Sequence, residues 1–340
     1  MLSRFPSRRL SLGVLALAIS FIGSGLLLFF LLRDLDWFII RQTSPLVAIG
    51  IFLLTALETV VYTLMVRAQI RGGGAVVTFW QTYLVLTSSL SINYLTPVKV
   101  GIPWRVYLYQ RFIGVPLARG AALVTLEALA GMLIPAFLAV AGITILFPQL
   151  GLTAPLVLIG VLLAALGFAL LVRVEALSAR LETWAFGSRL KRILGFIQQV
   201  QTSLRSMPFV VVAITLLLVL LMLMIEAYRL WLLLGIFGSA PAPYLLLVVL
   251  AISLTAGNVS MLPLGLGVRD ASLIFLLAHL GVSNEIALSA AVVQRLFSPG
   301  CPLLLGVISS NILGVSALRR TAPRELPLAE AQSQEAKDAP

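Results

Sequence analysis

Apolar residues in this chain come in long blocks separated by short polar punctuation. Blocks of about 20 residues, enough to cross about 30 Å of hydrocarbon as a helix, lie near 10–32, 44–66, 117–147, 152–172, 208–236 and 285–313. Two further apolar stretches, 76–113 and 242–281, are interrupted by Pro97-Val-Lys-Val-Gly101 and Pro263-Leu-Gly-Leu-Gly267. The limb after the first break, Ile102 to Ile113, holds about 12 residues, or about 18 Å of helix, too short to span. The limb from Val268 to Leu280 is equally short. Each interrupted stretch therefore predicts a re-entrant hairpin of broken helix, and a pair of tilted, Pro-kinked spans is the competing arrangement. The expected fold is an all-α polytopic membrane protein with about six full spans and two broken-helix hairpins, eight or more membrane segments in all.

The two breaks echo one another. Arg105 follows Gly101 and Arg269 follows Gly267; beyond them, Ile113-Gly114-Val115-Pro116 resembles Leu280-Gly281-Val282-Ser283. Each copy then enters an Ala-rich apolar helix carrying a charge deep in the apolar run, Glu127 in one and Arg295 in the other. The match is imperfect, since Asn93 precedes its proline by four positions and Asn258 by five. With the N-terminus in the cytoplasm, Arg67, Arg71, Arg111, Arg119, Arg173, Arg180, Arg189, Lys191, Arg192, Arg205, Arg319, Arg320 and Arg324 all fall inside, as the positive-inside rule asks. Outside, Arg33 and Arg41 are balanced by Asp34 and Asp36. Three crossings separate the hairpins, so the second enters from the face opposite the first. Similar segments inserted oppositely constitute an inverted repeat, an arrangement through which many transporters achieve alternating access. The C-terminus is expected inside as well.

Composition agrees with a membrane domain: 60% hydrophobic and 11% charged residues, with mean hydropathy +1.07. The reading is a single transmembrane domain over 1–318, with repeat one at about 44–172, a basic cytoplasmic linker at 173–207 and repeat two at about 208–313. Residues 319–340, rich in Ala, Pro, Glu and Gln, read as a disordered cytoplasmic tail. In the linker, Leu181, Trp184, Phe186, Leu190, Ile193, Leu194 and Ile197 have the spacing of an amphipathic helix on the inner leaflet, although a solvated connector would carry the same charges. Arg4, Arg8 and Arg9 before the first apolar run resemble a signal peptide, but the run is long and no small-residue cleavage site follows, which favours an uncleaved first helix. The net charge of +11 follows from the loop arginines and implies no nucleic-acid partner. One cysteine (Cys301) and one histidine (His279) exclude an internal disulfide and a Cys/His metal cluster. His279 reads as an interfacial or packed side chain.

The informative residues are charges within apolar segments: Glu58, Glu127, Glu226 with Arg229, Arg269 with Asp270, and Arg295, with Lys99 and Arg105 beside the first break. Each costs at least about 2.5–3.5 kcal/mol at the bilayer centre and so faces a partner or a watery cavity. Arg105, Arg269 and Arg295 suit a lipid phosphate, because guanidinium forks bind phosphate oxygens bidentately and stay protonated. Helix starts at Gly101 and Gly267 would add free N–H groups. Glu58, Glu127 and Asp270 would neutralise the arginines in the empty state or relay protons, and Asn93 would contribute to the substrate site. Pro97, Gly101, Pro263, Gly265 and Gly267 form the breaks. Buried pairs that only hold helices together are the alternative role, favoured for Glu226 and Arg229, which are three residues apart on one face. The run Thr87, Ser88, Ser89, Ser91, Asn93 would line a cavity or bond to its own helix carbonyls. Motifs for catalysis (Gly-x-Ser-x-Gly, a Walker loop) are absent from the sequence, so neither enzymatic activity nor a cofactor is expected.

Asn93-Tyr-Leu-Thr-Pro97-Val-Lys-Val-Gly101 with Arg105, and Leu262-Pro263-Leu-Gly-Leu-Gly267-Val-Arg269-Asp270 with Gly281-Val282 and Gln294-Arg295, resemble the transmembrane region of lysylphosphatidylglycerol synthases, also called flippase-like domain proteins. The likeness covers roughly 10–315. The family commonly has an acidic residue after the first glycine, where this chain has Ile102 and then Pro103. Complete synthases join this region to a soluble aminoacyl-transferase domain, which these residues do not resemble, so lysyl-lipid synthesis is not expected of them. The resemblance implies a multi-pass flippase or transporter of the bacterial inner membrane. Its substrate would be a membrane phospholipid or another anionic or lipid-linked molecule. A non-catalytic accessory protein that scaffolds a lipid-modifying or glycosyltransferase enzyme is the alternative, and an integral-membrane transferase ranks below both.

Overall fold

The computed structural model describes residues 45–95, 100–151, 188–239, 241–260, 267–298 and 300–321, with the isolated positions 156, 160 and 265. The expected spans at 10–32 and 152–172, the break residues Pro97, Lys99 and Pro263, and the segment 322–340 lie outside the described residues. Among the described residues all regular structure is helical: α1 (Pro45–Gly72), α2 (Phe79–Leu95), α3 (Gly101–Leu108, continued by a π turn at Tyr109–Ile113), α4 (Leu117–Leu146), α5 (Ser188–Arg205), α6 (Phe209–Ile236), α7 (Pro243–Val259), α8 (Val268–His279), α9 (Asn284–Phe297) and α10 (Gly300–Thr321). Helices α1, α4 and α6 are each long and apolar enough to cross a bilayer, as is the run Asn284–Leu313. Their outward surfaces carry exposed Phe52, Leu53, Leu57, Phe137, Leu217 and Leu221, side chains that only a hydrocarbon solvent makes comfortable.

The crossing expected at 285–313 falls in the apolar run Asn284–Leu313, within which α9 ends at Phe297 and α10 begins at Gly300. Both short limbs end alike. Gly114 (φ 81°) and Gly281 (φ 85°) take the left-handed conformation that closes a helix, and the following Val115 and Val282 are buried. A backbone bond from Val115 N–H to Tyr109 O, or from Val282 N–H to Leu277 O, seals each closure. Pro116 and Ser283 then start the next helix with nearly the same backbone, at ψ 143° and 148°.

Buried side chains form two cores. One joins the C-terminal half of α1 (Met65, Val66, Ile70) to α2, α3 and the first turns of α4. The other joins the C-terminal half of α6 to α7, α8 and α9, with Ile51 from the start of α1 and Leu146 from the end of α4. In lipid, apolar burial gives little drive for helix association, so close approach and satisfied polar groups carry it. Three inter-helix contacts show this. Helix α1 packs on α6, where Gln69 donates to Thr215 Oγ1 at 3.1 Å. Helix α2 packs on α10, where Thr87 and Ser88 bond Ser309 and Ser310, each at 2.8 Å. Helix α4 packs on α7, where Gly142 faces Val248. Gly306 lets α10 approach α2: a Cβ there would lie 2.2 Å from the Thr87 carbonyl oxygen. The linker residues Ser188–Arg205 are helical, and this α5 packs against α4.

Candidate functional site

Among the described residues, four arginines within the bundle each face a carboxylate from another helix. The first cluster gathers α1, α2, α3 and α4. Arg105 on α3 is 4% exposed; its Nη1 reaches both Glu127 oxygens on α4, at 2.7 and 2.8 Å. Its Nε donates to Ser89 Oγ on α2 at 2.8 Å, and Nη1 also meets the Tyr62 hydroxyl of α1 at 3.3 Å. Tyr62 in turn donates to Glu127, with the Arg105 guanidinium 5.7 Å from its ring centre. The pair is possible only because α3 lies tight on α2. A Cβ at Gly101 would stand 2.3 Å from the Ser89 carbonyl oxygen, so only glycine fits. Asn93 flanks that contact with its Oδ1 buried and unbonded.

The second cluster joins α1, α6, α8 and α9. Arg229, 1% exposed, donates to Glu58 Oε2 at 2.6 Å and to Thr55 Oγ1 at 3.3 Å. Its helix neighbour Glu226 is a second partner at 3.9 Å. Glu226 Oε1 accepts chiefly from Arg269 Nη2 at 2.5 Å and from Gln294 Nε2 at 3.2 Å. Glu226 and Arg229 thus tie α6 to α1, α8 and α9 more than to each other. Close by, Asp270 and Arg295 form a two-pronged pair, Nε to Oδ1 and Nη2 to Oδ2, both at 2.8 Å. Asp270 also accepts the Gly267 N–H at 3.3 Å, an acidic cap on the first turn of α8. Gly257 and Gly265 make room for this turn: a Cβ on Gly265 (φ 63°) would lie 2.9 Å from the Gly257 Cα, and one on Gly257 3.0 Å from the Arg269 Cβ.

The pairing is therefore Arg105–Glu127, Arg229–Glu58, Arg269–Glu226 and Arg295–Asp270. Arg105 lies in one cluster and Arg269 in the other, so no carboxylate is shared across the two. Their formal charges cancel pair by pair, which lets eight ionised groups persist among apolar helices. Tyr62, Thr55 and Ser89 complete these clusters. Sequence reading passed over Tyr62 and Thr55 because uncharged polar residues in an apolar helix carry no hydropathy signal. Arg229 Nε and Nη2 and Gln294 Oε1 remain buried without hydrogen bonds. In the serine-rich run, Thr87, Ser89 and Ser91 bond their own helix carbonyls; only Ser89 also touches an ion pair. His279 closes the far end of α8 against α4, 3.2 Å from the Leu146 carbonyl oxygen and with its ring tilted over Phe147, centroids 4.7 Å apart.

Across residues 13–306 the sequence matches the family model of the lysylphosphatidylglycerol synthase TM region. The chain belongs to that family. No curated protein matches it. As a member of the lysylphosphatidylglycerol synthase TM-region family it is a membrane protein, and both the Arg105–Glu127 and Asp270–Arg295 pairs fall within the matched residues.

Proposed function

We propose that this protein exchanges an anionic phospholipid, or another lipid-linked anion, between the leaflets of a bacterial inner membrane, using two inverted broken-helix repeats, α1–α4 and α6–α10. The observation that carries the proposal is the matched pair of ion locks. In each repeat the short helix after the break is tied to the next helix, by Arg105–Glu127 in one and Asp270–Arg295 in the other, with the signs exchanged. The reciprocal packing supports the same reading: α2 lies on α10 and α7 on α4, while α1 lies on α6. Such a set of contacts is what a two-fold relation between the halves requires. Helices α2 and α7 hold 17 residues each, or about 25 Å, the shortest length that still crosses most of the hydrocarbon, and each is followed by a short helix (α3 and α8).

A lipid phosphate offers the arginines what their carboxylates offer, and two-pronged arginine contacts transfer readily from carboxylate to phosphate. Arg269 and Arg295 are the working cations, with side chains 21% and 14% exposed against 5% for Arg105. Substrate would draw them from Glu226 and Asp270, freeing α8 to shift against α9 and the repeats to rock across their contacts. Reconstitution into vesicles with headgroup-labelled phosphatidylglycerol tests this. The protein should accelerate leaflet exchange, and Arg269→Ala or Arg295→Ala should lower the rate at least about tenfold, the loss of one charge-assisted contact. Exchange equal to that of protein-free vesicles, or unaltered in both variants, would defeat it. Loss of binding to a co-purifying lipid-modifying enzyme in those variants would favour the scaffold role instead.

A further inference from the structure

At the end of the bundle that gathers Arg67, Arg71, Arg111 and Arg119, a cavity of about 340 Å³ opens between the α1–α2 loop and the start of α4. Ile70, Ile113, Val115 and Leu123 form its apolar wall, Gly73 and Gly74 its rim, and Arg119 its charged edge. Arg119 lies over Gly73, its Nε 3.1 Å from where a Cβ would stand, and makes no hydrogen bond or ion pair among the described residues. The described carboxylates, Glu58, Glu127, Glu226 and Asp270, are all bound in the clusters above, and Glu285 starts α9 beyond the opposite core. The basic end is thus left without an internal counter-charge among the described residues. Phe79, Trp80 and Tyr83, in mutual ring contact at the start of α2, mark the same level as an aromatic interfacial belt, with Trp80 68% exposed.

The corresponding place in the other half is built differently. Ile286 stands where Arg119 does when Gly114 is set on Gly281, and the Ser283 hydroxyl caps α9 by accepting from Ile286 N–H. At α4, Pro116 leaves the helix start uncapped by any side chain. The two halves thus share a backbone, but at this position one carries a cation and the other an isoleucine packed on its core.

We propose that this cavity binds the headgroup of an anionic phospholipid from the leaflet bordering the basic end. Arg119 would hold the phosphate, and the apolar wall would receive the first carbons of the glycerol and acyl chains. The volume suits a headgroup, being at the small end of ligand pockets, and a mixed wall of one cation and several aliphatic groups suits a lipid better than a free phosphate. The proposal rests on the membrane placement and is independent of leaflet exchange.

Native mass spectrometry of the full chain in detergent, titrated with phosphatidylglycerol, phosphatidylcholine or glycerol phosphate, tests it. Wild-type protein should retain one phosphatidylglycerol in preference to phosphatidylcholine, and Arg119→Gln should weaken that affinity about five- to tenfold. Arg119→Lys should recover part of it. Arg111→Gln, at another exposed arginine outside the cavity wall, should leave it unchanged. Equal retention by Arg119→Gln, equal retention of phosphatidylcholine, or an equal loss in Arg111→Gln would overturn the proposal. Displacement by glycerol phosphate at concentrations matching the lipid would do the same, assigning the cavity to a soluble phosphate.

Discussion

Replacing Glu127 by leucine leaves the Arg105 guanidinium buried with no carboxylate, and leaves the Tyr62 hydroxyl without its acceptor. Three contacts to Glu127 vanish at once: two from Arg105 Nη1 and one from Tyr62. Ser89 Oγ and the Tyr62 oxygen remain near Arg105, but neither carries charge. Breaking one side of a buried pair costs about 3–5 kcal/mol, whereas replacing both partners by apolar groups is often neutral or better. Arg105 is only 4% exposed, so solvent screens little and the upper half of that range applies. Glu127→Leu should therefore lose about 4 kcal/mol, while Arg105→Leu/Glu127→Leu should recover at least about half of it, a coupling between the two sites of at least about 2 kcal/mol once the cost of Arg105→Leu alone is added. Thermal unfolding in a single detergent, followed by size-exclusion of the surviving fold, reads both variants. A single variant as stable as wild type, or a double variant no better than the single, would refute a tightly coupled buried pair.

Gly101→Ala forces a methyl group to within 2.3 Å of the Ser89 carbonyl oxygen and should destabilise by about 1–3 kcal/mol, visible as a lower unfolding temperature, whereas Gly131→Ala, with open space around it, should not. Glu226→Gln deprives Arg269 of its carboxylate while Arg229 keeps Glu58. A loss of about 3 kcal/mol is expected, at the low end for a broken buried pair, with partial recovery in Glu226→Gln/Arg269→Gln by the same measurement.

Apolar blocks made the long helices legible because a bilayer admits few alternatives: α1, α4 and α6 occupy the stretches read as crossings. The short limbs after the breaks were legible for the same reason, since glycine and proline leave a helix too brief to cross. Every charge at the candidate site was visible as an expensive residue in an apolar segment, but the partners were not. Glu226 and Arg229 looked like a pair from their spacing, yet helices folding back across the bundle bring Arg269 to one and Glu58 to the other. Partner choice depends on helix rotation and crossing, which a linear pattern does not encode. Tyr62 shows the same limit, since its role arises only where four helices converge on Arg105.

The proposal that lipid crosses as the two repeats shift against one another is tested most directly by a reversible lock between them. Thr87 on α2 and Ser309 on α10 have side-chain oxygens 2.8 Å apart, so cysteines at both positions, in a Cys301→Ser background, are placed to form a disulfide. In vesicles with labelled phosphatidylglycerol, the oxidised protein should fall to the protein-free exchange rate and regain its activity when a reductant opens the bond. Exchange that proceeds equally in the oxidised and reduced states, with the cross-link verified, would contradict the account.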